Sequence, residues 1–121
     1  MAKLLMFNLQ DARKREQLRV LSIRLDFACI EVPASSQGHT LRRLLSGDTG
    51  PCPAAHPFSE ELIVMNGFLN ESLDTLLQEM RKSGTTVSLK AVVTATNQFW
   101  TADQLAQQLK AEDYAMRQRK L

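Results

Sequence analysis

The side chains in this chain that could do chemistry are mostly neutral hydrogen-bonding groups placed where apolar runs end. Asn8, Gln10 and Asp11 close a first run, and His39 and Thr40 fall in the loop after a second. Asn66 and Gly67 close a third, and Thr94, Thr96, Asn97 and Trp100 follow a fourth. Amides and hydroxyls suit holding a polar ligand better than moving protons, since few of them titrate near neutral pH. Asn, Asp, Thr and Gly also end strands and start helices for backbone reasons alone, so turn chemistry competes with ligand binding at each position. Lys14 adds a cation. It lies one helical turn before Leu18 on the apolar stripe of its helix, which leans its side chain toward the sheet. With Arg13 and the free first-turn N–H groups it suits an anion or phosphate. The alternative is a lysine that snorkels into water. The expected ligand contacts are Asn8, Lys14, His39, Asn66, Thr94, Thr96 and Asn97.

Other chemistries are set aside. Among Cys29, His39, Cys52 and His56 only Cys52 and His56 are close in sequence, whereas structural zinc sites usually come as close ligand pairs. No metal and no cofactor is expected. No phosphate-binding loop or G-x-G-x-x-G turn follows the first run, and neither a G-x-S-x-G elbow nor a C-x-x-C pair is present. Asp11 has no acidic neighbour, which argues against a phosphoacceptor receiver site, and Lys90 on a strand equally marks a solvated edge. No nucleophile–base pair or acid pair declares itself, so no catalytic residue is assigned and an enzyme acting on a phosphorylated small molecule ranks last. Arg13, Lys14, Arg15, Arg19 and Arg24 crowd one helix, and Arg117–Lys120 end the chain. Glu16 and Asp26 interrupt the first group, and the net charge is only +2. A solvated helical face is expected rather than a nucleic-acid stripe. No run is long enough for a signal-peptide core or membrane span, and two cysteines are too few for a disulfide framework. A cytoplasmic protein is expected.

The elements that must place these residues are four strands, each followed by a segment that can wind into a helix. The 121 residues suit one α/β domain spanning residues 1–121. Strands are expected at Lys3–Leu9, Phe27–Val32, Leu62–Met65 and Ser88–Thr94. The first helix runs from about Asp11 to Asp26 with Leu18, Leu21 and Leu25 inward and Asp11 as N-cap. The third carries Leu69, Leu73, Leu76, Leu77 and Met80 on one face, with Asn70 as N-cap and Gly84 at the left-handed C′ position. The last starts at a capping box, Thr101 with Gln104, stapled by Trp100 and Leu105. All four prolines and both histidines fall between residues 33 and 57. The irregular loop 33–60 therefore holds only a short helix, His39–Leu45, and so long a connection suggests function. Helices in every crossover predict a four-stranded, mainly parallel sheet in the order 2-1-3-4, Rossmann-like or flavodoxin-like, within three layers. All strand ends would then share one edge, with a crevice between strands 1 and 3. No internal repeat is visible.

The last helix reaches about 28 Å if it runs from Thr101 to Arg119, longer than such short strands need. Its second half offers Tyr114 and Met116 to a partner, including a second copy of the chain. Three segments together resemble a small bacterial family known chiefly as a domain of unknown function. They are Gly38–Leu41, Leu62–Phe68, and Leu89–Asn97 through Trp100. The resemblance implies a compact, stand-alone cytoplasmic domain and transfers no activity or site residues. Two functions are carried forward: a binding or regulatory module holding a polar or anionic ligand at the strand ends, and a protein-interaction or dimerisation module using the C-terminal helix.

Overall fold

A computed structural model describes residues 1–119. Strand β1 (Ala2–Phe7) buries four residues in a row, Leu4–Phe7, because it lies inside the sheet with helices on both faces. Successive strand side chains point to opposite faces. Leu5 and Phe7 therefore join one core cluster, and Leu4 and Met6 the other. Strand β3 (Leu62–Asn66) divides in the same way, Leu62 and Val64 against Ile63 and Met65. Helices α1 (Ala12–Leu25) and α3 (Asn70–Lys82) cover the second cluster through Leu18, Leu21, Leu76 and Met80. Helices α2 (Leu41–Leu45) and α4 (Ala102–Arg119) cover the first through Leu41, Leu44, Leu105 and Ala106. The edges are β2 (Phe27–Val32) and β4 (Leu89–Val92), and the order is β2-β1-β3-β4.

Local chemistry explains most helix ends. The Asp11 carboxylate accepts the Arg13 N–H at 2.9 Å, and Asp26 turns left-handed after the last turn of α1. At α4 the Thr101 N–H donates to Gln104 Oε1 at 2.9 Å while the Gln104 N–H returns to Thr101 Oγ1, the reciprocal box its sequence spells. Helix α3 differs. Leu69 is its N-cap, without a side-chain bond, and Asn70 is already helical. Leu69 is left 78 % exposed outside the stripe.

The sheet is mixed rather than mainly parallel. Strands β1 and β2 are parallel and so are β3 and β4, but β1 runs antiparallel to β3, with Leu5 opposite Val64. The β2-to-β3 connection explains the reversal. Helix α2 carries the chain back across the sheet, so that the Leu45 carbonyl receives the Lys3 ammonium at 2.9 Å, beside the start of β1. The proline-rich segment then returns to the other edge, where Asn8 holds the carbonyls of Phe58 and Glu60 at 3.0 Å each. The crossover is undone, and β3 enters from the edge at which β2 left.

The same order of elements occurs twice. A strand, a helix, a parallel strand, a 3₁₀ turn and a second helix make up β1 to α2, and again β3 to α4. Where the two units meet, Thr40 and Thr101 form an antiparallel bridge. The Leu41 N–H donates to the Trp100 carbonyl at 2.9 Å, and the Ala102 N–H to the His39 carbonyl at 3.1 Å. Positive φ angles recur in step, Asn8 at 60° and Gly67 at 78° after the first strands, Asp26 at 56° and Gly84 at 71° after the first helices. The units meet along the antiparallel β1–β3 pair, whose register centres on Leu5 opposite Val64. No repeat was visible in the sequence because it is topological: the shared features are backbone turns and apolar positions, which many residue types satisfy.

Candidate functional site

The antiparallel centre divides the expected strand-end site. Asn8 follows Phe7, which faces Leu62 at the beginning of β3, whereas Asn66 at the end of β3 faces Lys3. Asn8 and Lys14 thus sit at one edge of the sheet, and Asn66, Thr94, Thr96 and Asn97 at the other. A crevice shared by all strand ends does not form, since it requires four parallel strands.

At the first edge the polar groups are engaged by the chain itself. The Asn8 amide holds the Phe58 and Glu60 carbonyls. Lys14 does lean inward, and its ammonium meets the Glu61 carboxylate at 2.7 Å, where each side chain keeps 22 % exposure. The place an anion was expected to take is held by Glu61. His39 lies instead at the seam of the two units, where its carbonyl accepts the Ala102 N–H, and its Nε2 is 2.8 Å from the Gly50 carbonyl and 3.6 Å from Asp48. Hydrogen bonds from Arg43 and the Gly50 N–H hold the Asp48 carboxyl below its ordinary range. Three further basic residues of α1 are paired, Arg15 with Glu31, Arg19 with Glu16 and Arg24 with Glu79. Lys120 lies outside the described residues.

At the second edge Asn97 closes the end of β4. Its Oδ1 accepts the Thr94 N–H at 2.7 Å, its Nδ2 donates to the Val92 carbonyl at 3.1 Å, and its own N–H reaches Thr94 Oγ1 at 3.0 Å. Turn chemistry therefore explains Asn97 and much of Thr94. Thr94 and Thr96 are nonetheless exposed, and with Asn97 they line one groove of about 310 Å³ between edge strand β4 and helix α4. Its apolar walls are Ala91, Val92, Trp100, Leu105 and Leu109. Leu89 and Val93 donate their N–H groups inward to Glu61 and Met65 of the β3 side. By alternation Lys90 and Val92 turn their backbone groups away from β3, and the Val92 carbonyl is taken by Asn97. Tyr114 and Met116, the expected partner contacts, are 66 % and 61 % exposed on the far part of α4.

Several structural side chains were not singled out from sequence. Gln37, 1 % exposed, gives Nε2 to the Phe58 carbonyl at 2.9 Å and takes the Phe58 N–H on Oε1 at 3.0 Å, as a neighbouring strand would. Asp103 accepts the His56 N–H at 3.1 Å and the Thr101 hydroxyl. Ser36 holds the carbonyls of Thr49 and Gly50. Loop 33–60 is thus tied to itself by Ser36 and Gln37 and to the body by Asn8 and Asp103. Among the described residues no group of three or more His, Cys, Asp or Glu could hold a metal ion, and no helix is long and apolar enough to cross a membrane. Cys29 and Cys52 are free, and burial pushes the Cys29 thiol up.

Fold and site together define a three-layer α/β protein made of two like units, with an open groove on the second. Residues 61–116, the second unit up to Met116 of α4, match the family model of a domain of unknown function (DUF3783). The match contains Leu62–Phe68 and Leu89–Trp100 of the family resemblance and leaves Gly38–Leu41 outside. No curated protein and no solved structure matches the chain.

Proposed function

We propose that this protein is an interaction module whose working surface is the β4–α4 face. The observation that carries the reading is the outer half of α4, where residues 111–119 are all exposed beside the apolar groove. Helices in globular proteins are stabilised mainly by packing an apolar face, so nine exposed residues with a Tyr and a Met gain that packing from a partner. The setting we propose is a bacterial cytoplasm, on the family resemblance and the two free cysteines. A photo-reactive amino acid at Met116 of the full-length protein tests the surface in the cells that make it. Adducts from Met116, and none from a control site at Glu71 on α3, are the expected result. Equal labelling from both sites would sink the reading.

A polar or anionic small ligand is the second reading, favoured by Thr94 and Thr96 opening on the same groove. A ligand bound only by the folded state stabilises it by about 2.7 kcal/mol at a hundred times its dissociation constant. A metabolite panel read by thermal unfolding should then contain a hit that Thr96→Val abolishes. A panel without such a hit removes this reading.

A further inference from the structure

Up to Lys110, which meets Glu60 at 3.4 Å, helix α4 is fastened to the body. Beyond it every described residue is exposed. Helix α2, the counterpart in the first unit, stops at Leu45, so a unit of this topology closes its core without such an extension. At about 100° per residue, Leu105, Leu109, Glu112, Met116 and Arg119 fall on one face, with Ala115 beside Met116. Leu105 is buried, Leu109 is partly buried and Met116 is 61 % exposed. Glu112 still lines the groove with Ala91 and Val92, and from Met116 onward the stripe that covers the sheet continues where no sheet lies beneath it. Its charges are ordered, Glu112 nearer the body and Arg119 nearer the end of the chain. Asp113 and Arg117, joined at 3.2 Å on the flank, keep the same acid-then-base order.

That order makes the stripe complementary to itself in one orientation. An identical helix laid antiparallel brings Arg119 of the other copy to Glu112 and Met116 of the other copy to Ala115. A parallel copy in register sets like charge on like charge. We infer that the outer half of α4 docks on a second copy of this chain as an antiparallel helix pair centred between Ala115 and Met116. This rests on the β4–α4 face being an interaction surface and names its occupant. Tyr114 lies about 160° around the helix from Met116 and takes no part, so the two exposed residues have different roles. So few helical turns belong to the weak, transient class of contacts, below about 1,200 Å² of buried surface. Self-association with a dissociation constant on the order of 0.1 mM is expected.

Sedimentation of the full chain over roughly 10 µM to 1 mM at low salt reads the mass directly, and all the substituted residues are exposed enough to leave the fold intact. Glu112→Arg and Arg119→Glu should each weaken self-association about tenfold or more by setting like charges together. An equimolar mixture of the two variants should restore it, because each then offers the charge the other lacks. The double variant in one chain should restore it as well. Met116→Ala should weaken association while Tyr114→Ala leaves it unchanged. A mixture that stays monomeric, or a Tyr114→Ala loss equal to that of Met116→Ala, overturns the antiparallel pair. A monomer at every concentration that still crosslinks to another protein from Met116 defeats self-pairing and leaves the interaction surface standing. Absence of both defeats the two together.

Discussion

Gln37 shows how a single side chain holds a loop that its sequence describes only as irregular. It pairs with both backbone groups of Phe58 inside the protein, and removing it strands the buried Phe58 N–H, while the Phe58 carbonyl keeps the Asn8 amide. Gln37→Leu should therefore cost about 1–3 kcal/mol in denaturant unfolding, and a loss under about 0.5 kcal/mol would show that water replaces it. Gly38 beside it has no room for a side chain, since an added Cβ would lie 2.4 Å from the Pro53 carbonyl oxygen. Gly38→Ala should cost about 1–3 kcal/mol as the loop shifts away. Asp48 contributes a pH dependence to the same loop. Its carboxyl lies below the ordinary value of 3.8, so the contacts with Arg43 and Gly50 contribute above that value and are lost as pH falls through the folded one. The Gly50 amide resonance should move with that acid titration, and one that stays fixed would separate the loop from Asp48. None of these roles is legible from residue type. A glutamine after Ser-Ser reads as solvent-facing until the segment that folds over it is known.

Most element boundaries, by contrast, follow from local chemistry. Asp11, Thr101 with Gln104, and Gly84 mark helix ends because they satisfy backbone groups that no neighbouring turn can reach. Thr101→Ala should cost about 1 kcal/mol through the cap, more if the Asp103 contact is lost with it. Asn70 misled for the opposite reason: asparagine caps well in general, but the chain begins α3 one residue earlier, and a leucine sits at the cap. The outer half of α4 is legible as a helix and silent about its purpose. Ending the chain after Lys110 should shift the unfolding temperature by no more than about 2 °C, since the residues removed are exposed. A large drop would show that the extension packs against the body.

At the scale of the molecule the two units share one sheet, and β1 against β3 is the seam between them. Unfolding either unit exposes that seam, so the Leu5 and Val64 amides should exchange with solvent at the same, global free energy. Protection differing by more than about 1 kcal/mol would show that the units open separately. The sequence by itself determined the strands, the main helices and the irregularity of residues 33–60, because apolar periodicity and caps are local signals. The neighbour order 2-1-3-4 holds although the parallel crossover from which it is expected does not form. Only the tertiary structure decided the direction of β3, and with it the division of the strand ends between two edges. That direction depends on whether a loop of four prolines continues the crossover or cancels it. The outcome rests on Gln37 closing the loop on itself and on bonds to it from Asn8 and Asp103, far away in the sequence, which residue type alone does not announce.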